Sequence, residues 1–116
     1  GSDWNTGWII FVDTDMNMQL DRSKDIVIVE HESHDQDSFI KISSKTDVTG
    51  LSGTLVAFDG SGFAKGNNAS VPNTTLTLKR TDVPVAEQDG VTRRIKIARS
   101  GRVRACRPKE DTTCTE

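Results

Sequence analysis

Residues 91–109 gather eight basic side chains, Arg93, Arg94, Lys96, Arg99, Arg102, Arg104, Arg107 and Lys109, with no acid among them. The chemistry open to such a cluster is the capture of polyanions, because clustered cations release the counterions condensed on a phosphate backbone. Arginine's planar fork suits phosphate oxygens better than a point charge does. Residues 1–90 carry fourteen Asp/Glu against seven Lys/Arg, and the chain of 116 residues has a net charge of −2. A local cationic patch can therefore attract polyanions although the molecule is weakly acidic. No aromatic residue lies within 91–109, so the expected contact is to phosphates, without base stacking and with little sequence preference. The plainer use of the same residues is a solvated cationic sheet face that pairs with acids elsewhere in the chain.

The two cysteines, Cys106 and Cys114, flank the end of this cluster. They form no CxxC pair and have no histidine near them, which argues against zinc or thioredoxin-type chemistry. They read as a disulfide closing a short loop in an oxidising compartment, the other reading being two free thiols in a reducing one. Asp13, Asp15, Asn17, Gln19 and Asp21 alternate like the start of a calcium loop. Met18 stands where the sharp turn wants glycine, and Lys24 where a bidentate glutamate is needed, so an acidic hairpin turn is the reading and no metal is expected. His31 and His34 lie in an acidic, solvated loop. No catalytic triad, phosphate-cradling glycine loop or zinc spacing can be assembled, and neither an enzymatic activity nor a cofactor is expected.

The elements that must position the basic cluster are strands. Only 34% of residues are hydrophobic and 28% are charged, a polar composition that still permits one domain with a modest core. Residues 8–13 are a continuous apolar run that predicts a buried strand, and 26–30 a second, joined to it as a hairpin by an acidic connection. Residues 38–43 predict a weaker strand with Phe39 and Ile42 inward, and 54–59 a short one. Residues 74–79 alternate with Leu76 and Leu78 on one face, and 93–99 with Ile95 and Ile97. Residues 81–90 read as a loop, and no helix is expected. Ser100-Gly101 marks a turn into a last strand, 102–106. A left-handed Gly101 in a bulged turn would set Val103 on the face of Ile97 and turn Arg102 and Arg104 together to the opposite face. Antiparallel sheets in a mainly β domain follow.

Three blocks in this order resemble a known family. Trp4-x-x-Gly7-Trp8-Ile9-Ile10-Phe11-Val12-Asp13 leads through an acidic turn to Ile26-Val27-Ile28-Val29-Glu30. Phe58-Asp59-Gly60-Ser61-Gly62 follows, and Arg94 to Cys106 ends the series with Gly101-Arg102-x-Arg104. The pattern resembles the head domain of GspH/FimT-type minor pilins and pseudopilins, and the Gly-Arg-x-Arg ending followed by two cysteines is most like FimT of type IV pili.

The resemblance implies an α+β type IV pilin-like fold in the full-length protein. Residues 1–116 would be its single C-terminal β-rich head, without the N-terminal anchor helix. It implies an inner-membrane anchor with the head in the periplasm or in the extracellular pilus, and other minor and major pilins as partners. FimT-like proteins are linked to natural transformation (competence), and their Gly-Arg-x-Arg region to DNA binding. That carries onto Gly101, Arg102 and Arg104 by match. Arg93, Arg94, Lys96, Arg99, Arg107 and Lys109 join them on charge alone. The expected ligand is double-stranded DNA held through its phosphate backbone. The rival expectations are a structural pseudopilin of a pilus-priming or type II secretion complex that binds no DNA, and an unrelated secreted β-domain with a basic end.

Overall fold

The computed structural model describes residues 2–33, 39–49, 53–66 and 71–116. Its centre is an antiparallel sheet of five strands: β1 (Ser2–Asp3), β4 (Ile40–Thr46), β7 (Thr74–Arg80), β8 (Arg93–Ile97) and β9 (Val103–Cys106), hydrogen-bonded in the order β1-β4-β7-β8-β9. Strands β2 (Trp8–Val12) and β3 (Ile26–His31) form a separate hairpin, and β5 (Ala57–Phe58) pairs with β6 (Ala64–Lys65) in another. One short helix, α1 (Val85–Val91), links β7 to β8.

Side chains alternate across a strand, so the register sorts the central sheet into two faces. Ile42 lies opposite Leu78, Leu76 opposite Ile95, and Ile97 opposite Val103. These residues make the apolar face, where Ile42 and Ile97 are buried. Burying an aliphatic side chain of this size contributes about 1.5–3 kcal/mol. Ser44 shares that face, and its hydroxyl donates to Gly53 O at 2.6 Å and accepts from Trp4 Nε1 at 2.9 Å. Trp4 N–H donates to Ile42 O, which ties the start of the chain to β4. The opposite face carries Lys41, Ser43 and Lys45 on β4, Thr75, Thr77 and Lys79 on β7, Arg94 and Lys96 on β8, and Arg104 and Cys106 on β9.

The mainly β class, the 8–30 hairpin and the alternation of residues 74–79 and 93–97 match the sequence reading. Four local expectations are corrected. Residues 85–91 are helical rather than loop: Pro84 presets φ and needs no N–H at a helix start, Glu87 N–H donates to Pro84 O, and the buried Thr92 hydroxyl donates to Gln88 O at 2.7 Å. Two turns are too few to give a periodic signal.

The 8–12 strand is not buried. Ile10, Val12, Ile26 and Ile28 are 45–60% exposed, because no further layer of described residues covers that side of the two-stranded sheet. β4 begins at Ile40, with Ile42 inward but Phe39 exposed outside it. The strand expected at 54–59 is confined to Ala57–Phe58. His34, Ser38, the Gly50 end of its predicted turn and residues 67–70 lie outside the described residues.

Candidate functional site

The turn between β8 and β9 organises the site. Gly101 N–H donates to Ala98 O, and Ala98 N–H donates to Arg102 O, each at 2.9 Å. Gly101 has φ +85°, a region that glycine enters without steric cost. The register that results pairs Ile97 with Val103 and Lys96 with Arg104, the bulged arrangement expected from the sequence. A second constraint acts on the same residue: a Cβ on Gly101 would lie 1.7 Å from Gly62 O. The backbone of the β5–β6 turn therefore packs directly on the β8–β9 turn, and Ala64 N–H donates to Arg99 O at 3.1 Å.

On the polar face, Lys45, Thr75, Lys96 and Arg104 fall in one register row across four neighbouring strands. Strands stand about 4.8 Å apart, which sets the Lys45 and Lys96 backbones about 10 Å apart. Lys45, Thr75, Lys96, Arg102, Arg104 and Glu116 line a cleft of about 460 Å³. Thr75 is buried in it. Neither Lys45 nor Arg102 has an acidic partner among the described residues. Farther along the same face Lys41 lies directly opposite Lys79, a like-charge juxtaposition that costs stability and is unrelieved by any acidic partner among the described residues.

The C-terminal tail folds back over this face. Cys106 and Cys114 are joined by a disulfide, worth about 2–3 kcal/mol for a loop of this size in the chain-entropy picture. Arg94 donates to Cys114 O, and Lys96 Nζ to Thr115 O at 2.8 Å. Arg104 meets the Asp111 carboxylate at 3.2 Å and Arg94 meets Glu116 at 3.8 Å. The Asp111 carboxyl sits below its ordinary value, first through the Thr113 hydroxyl, then the Thr113 N–H, with Arg104 adding to them.

The structure thus brings Gly101, Arg102, Arg104, Lys96 and Arg94 together, and directs the other basic residues elsewhere. Arg93 falls on the apolar-face register and donates to Thr92 O and Gly90 O. Arg99 donates to Val71 O and pairs with Asp47 at 3.0 Å. Burial pushes the Asp47 carboxyl up, but the Asn73 donors and Arg99 outweigh it and leave the group below its ordinary value. Arg107 pairs with Glu110 at 2.8 Å, and the Lys109 stem passes Gly90 of α1. Lys45, Lys41 and Lys79 were not singled out from the sequence. Their signal is the alternation of Lys41, Ser43 and Lys45 against Ile42 and Ser44.

The connection between β2 and β3 brings carboxylate oxygens of Asp13, Asp15 and Asp25 within 4.8 Å of one another. These carboxylates are engaged by their own loop. Asp13 accepts from the N–H groups of Asn17 and Met18. The buried Asp25 accepts from those of Thr14 and Asp21, and Lys24 lies 3.8 Å from Asp15.

A mainly antiparallel β domain with a polar cationic face and a stapled C-terminal tail is the class that fold and site define. The family model described as type II transport protein GspH matches residues 1–101, and the chain belongs to that family. Its role is that of a minor pseudopilin, in a family of membrane-anchored periplasmic proteins that act with other pseudopilins. No described helix is long and apolar enough to cross a membrane. The match ends at Gly101, so Arg102, Arg104 and both cysteines lie beyond it. No curated protein and no solved structure matches the chain.

Proposed function

We propose that this pseudopilin head is FimT-like, a minor pilin of a type IV pilus that binds DNA non-specifically and supports uptake in natural transformation. It acts as a binding and assembly protein rather than an enzyme. The observation that carries the reading is the cleft that Lys45, Lys96, Arg102 and Arg104 line, with Lys45 and Arg102 unpaired among the described residues. The four cations outnumber the two acids of the lining, Asp47 and Glu116, which suits the cleft to a phosphate backbone, and nothing in the lining favours a particular base sequence. The tail supports the reading by fixing Arg94, Lys96 and Arg104 in place before a ligand arrives, which reduces the ordering cost of binding.

The test is a salt titration of binding to unrelated DNA duplexes, comparing the protein with a folded Arg102→Gln/Arg104→Gln variant. Binding is expected to be alike for all duplexes and to weaken steeply with salt. The log–log slope should become shallower by about 0.9 for each phosphate contact removed. No binding at low salt, or equal binding by the variant, sinks the reading. The structural role in a pilus-priming or secretion complex then stands alone. The exposed Ile10, Val12, Ile26 and Ile28 of the β2–β3 hairpin favour that assembly role, since apolar patches of this kind mark protein contacts.

A further inference from the structure

The basic cluster contains no aromatic residue, yet the fold delivers one from a distant part of the chain. The β5–β6 turn that packs on Gly101 ends in Phe63, whose Cα lies 3.4 Å from the place a Gly101 Cβ would occupy. Gly101 immediately precedes Arg102, a residue of the cationic cleft, and consecutive Cα atoms are about 3.8 Å apart. Phe63 is 54% exposed. One exposed phenylalanine is ordinary on a protein surface. This one is held on a tied turn. Asp59 Oδ1 accepts from the N–H groups of Ser61 and Phe63 at 2.8 and 3.1 Å. Asp59 N–H donates to Phe63 O at 2.9 Å, and Ala64 N–H donates to Arg99 O. Phe63 therefore stands on a backbone anchored at both ends and packed on Gly101, the residue before Arg102 of the cleft.

From this juxtaposition we infer that the site takes single-stranded nucleic acid, with an unpaired base stacked on Phe63 and the neighbouring phosphates in the cleft at Arg102 and Arg104. The inference rests on the DNA-binding reading and names the form of DNA. Proteins that hold single strands without sequence preference combine a cationic groove with aromatic side chains, since every base offers a π face. In a duplex the bases are stacked on each other, and Phe63 has no free face to meet. The duplex then gains only the phosphate contacts.

Fluorescence anisotropy with three probes of equal length tests this: a mixed-sequence single strand, an abasic single strand and a mixed-sequence duplex, each at the same salt. The expected order places the mixed single strand tightest, about tenfold above the abasic strand. Phe63→Leu, which keeps an apolar side chain on the turn but removes the flat ring, is expected to bring the mixed strand down to the abasic level. It should leave the duplex unchanged. The comparison of the two single strands on the unaltered protein needs no variant at all. Equal affinity for mixed and abasic strands overturns the stacking role. So does an unchanged Phe63→Leu affinity for the mixed strand. Either result leaves the DNA reading standing if Arg102→Gln/Arg104→Gln still loses the duplex. Absence of binding to all three probes overturns both.

Discussion

Arg104 on β9 meets Asp111, a residue of the loop that the Cys106–Cys114 disulfide closes, at 3.2 Å. The pair links a strand of the cationic face to the tail that folds over it. Because the folded state holds the Asp111 carboxyl below its ordinary value of 3.8, the group contributes stability above that value. The contribution is lost as pH falls through the lower folded pKa, where the carboxyl protonates. Asp21, Asp25, Asp47 and Asp82 are shifted the same way and give the protein the same general acid limb. Asp111→Asn is therefore expected to be less stable than the parent at neutral pH, with the gap narrowing below pH 3.8. Thermal melts across the acid range measure it. Coincident curves for the two proteins would show that the tail contact has no energetic weight.

Gly101 faces two demands at once, a φ of +85° and the approach of Gly62 O to 1.7 Å from any added Cβ. Gly101→Ala meets neither. The expected loss is on the order of 3 kcal/mol, strain and displacement of the β5–β6 turn together. Chemical denaturation reads it as a lower midpoint. A midpoint within error of the parent would mean that the two turns are not in contact, and Phe63 would then lose its place against Gly101. Duplex affinity should also fall, since the turn sets where Arg102 stands.

How much of this was legible in the sequence depended on how local each feature is. Ile95 and Ile97 alternate within five residues, and the need to keep Val103 with Ile97 was enough to assign the bulge at Gly101 and the face of Arg104. The helix at 85–91 was missed because Asp89-Gly90 reads as a turn and two helical turns show no periodicity. The exposure of Ile10 and Ile28 was missed because an apolar run does not say what covers it. Lys45 and Phe63 were missed for a third reason. Both reach the basic hairpin only through long-range arrangement, Lys45 through the order β4-β7-β8-β9 and Phe63 through a turn packed on a glycine. Charge counting along the chain also over-collected, since Arg93 lies on the other face and Arg99 and Arg107 do not line the cleft.

That difference separates a built cleft from a merely basic end. Lys45 lies 51 residues before Lys96 in sequence, yet the two stand in the same register row with Thr75 between them. Arg93 is only three residues before Lys96 and lies on the opposite face. If phosphates sit in the cleft, Lys45→Gln should weaken duplex binding and make the log–log salt slope shallower by about 0.9. Arg93→Gln, which removes the same charge outside the cleft, should leave the slope unchanged. Both substitutions lower net charge by one, so a response that follows charge alone would affect the two alike. Equal slopes for the two variants would reduce the site to a diffuse cationic field. A change confined to Lys45→Gln would place the backbone across β4, β7, β8 and β9, with the Arg102 turn as one wall of the groove.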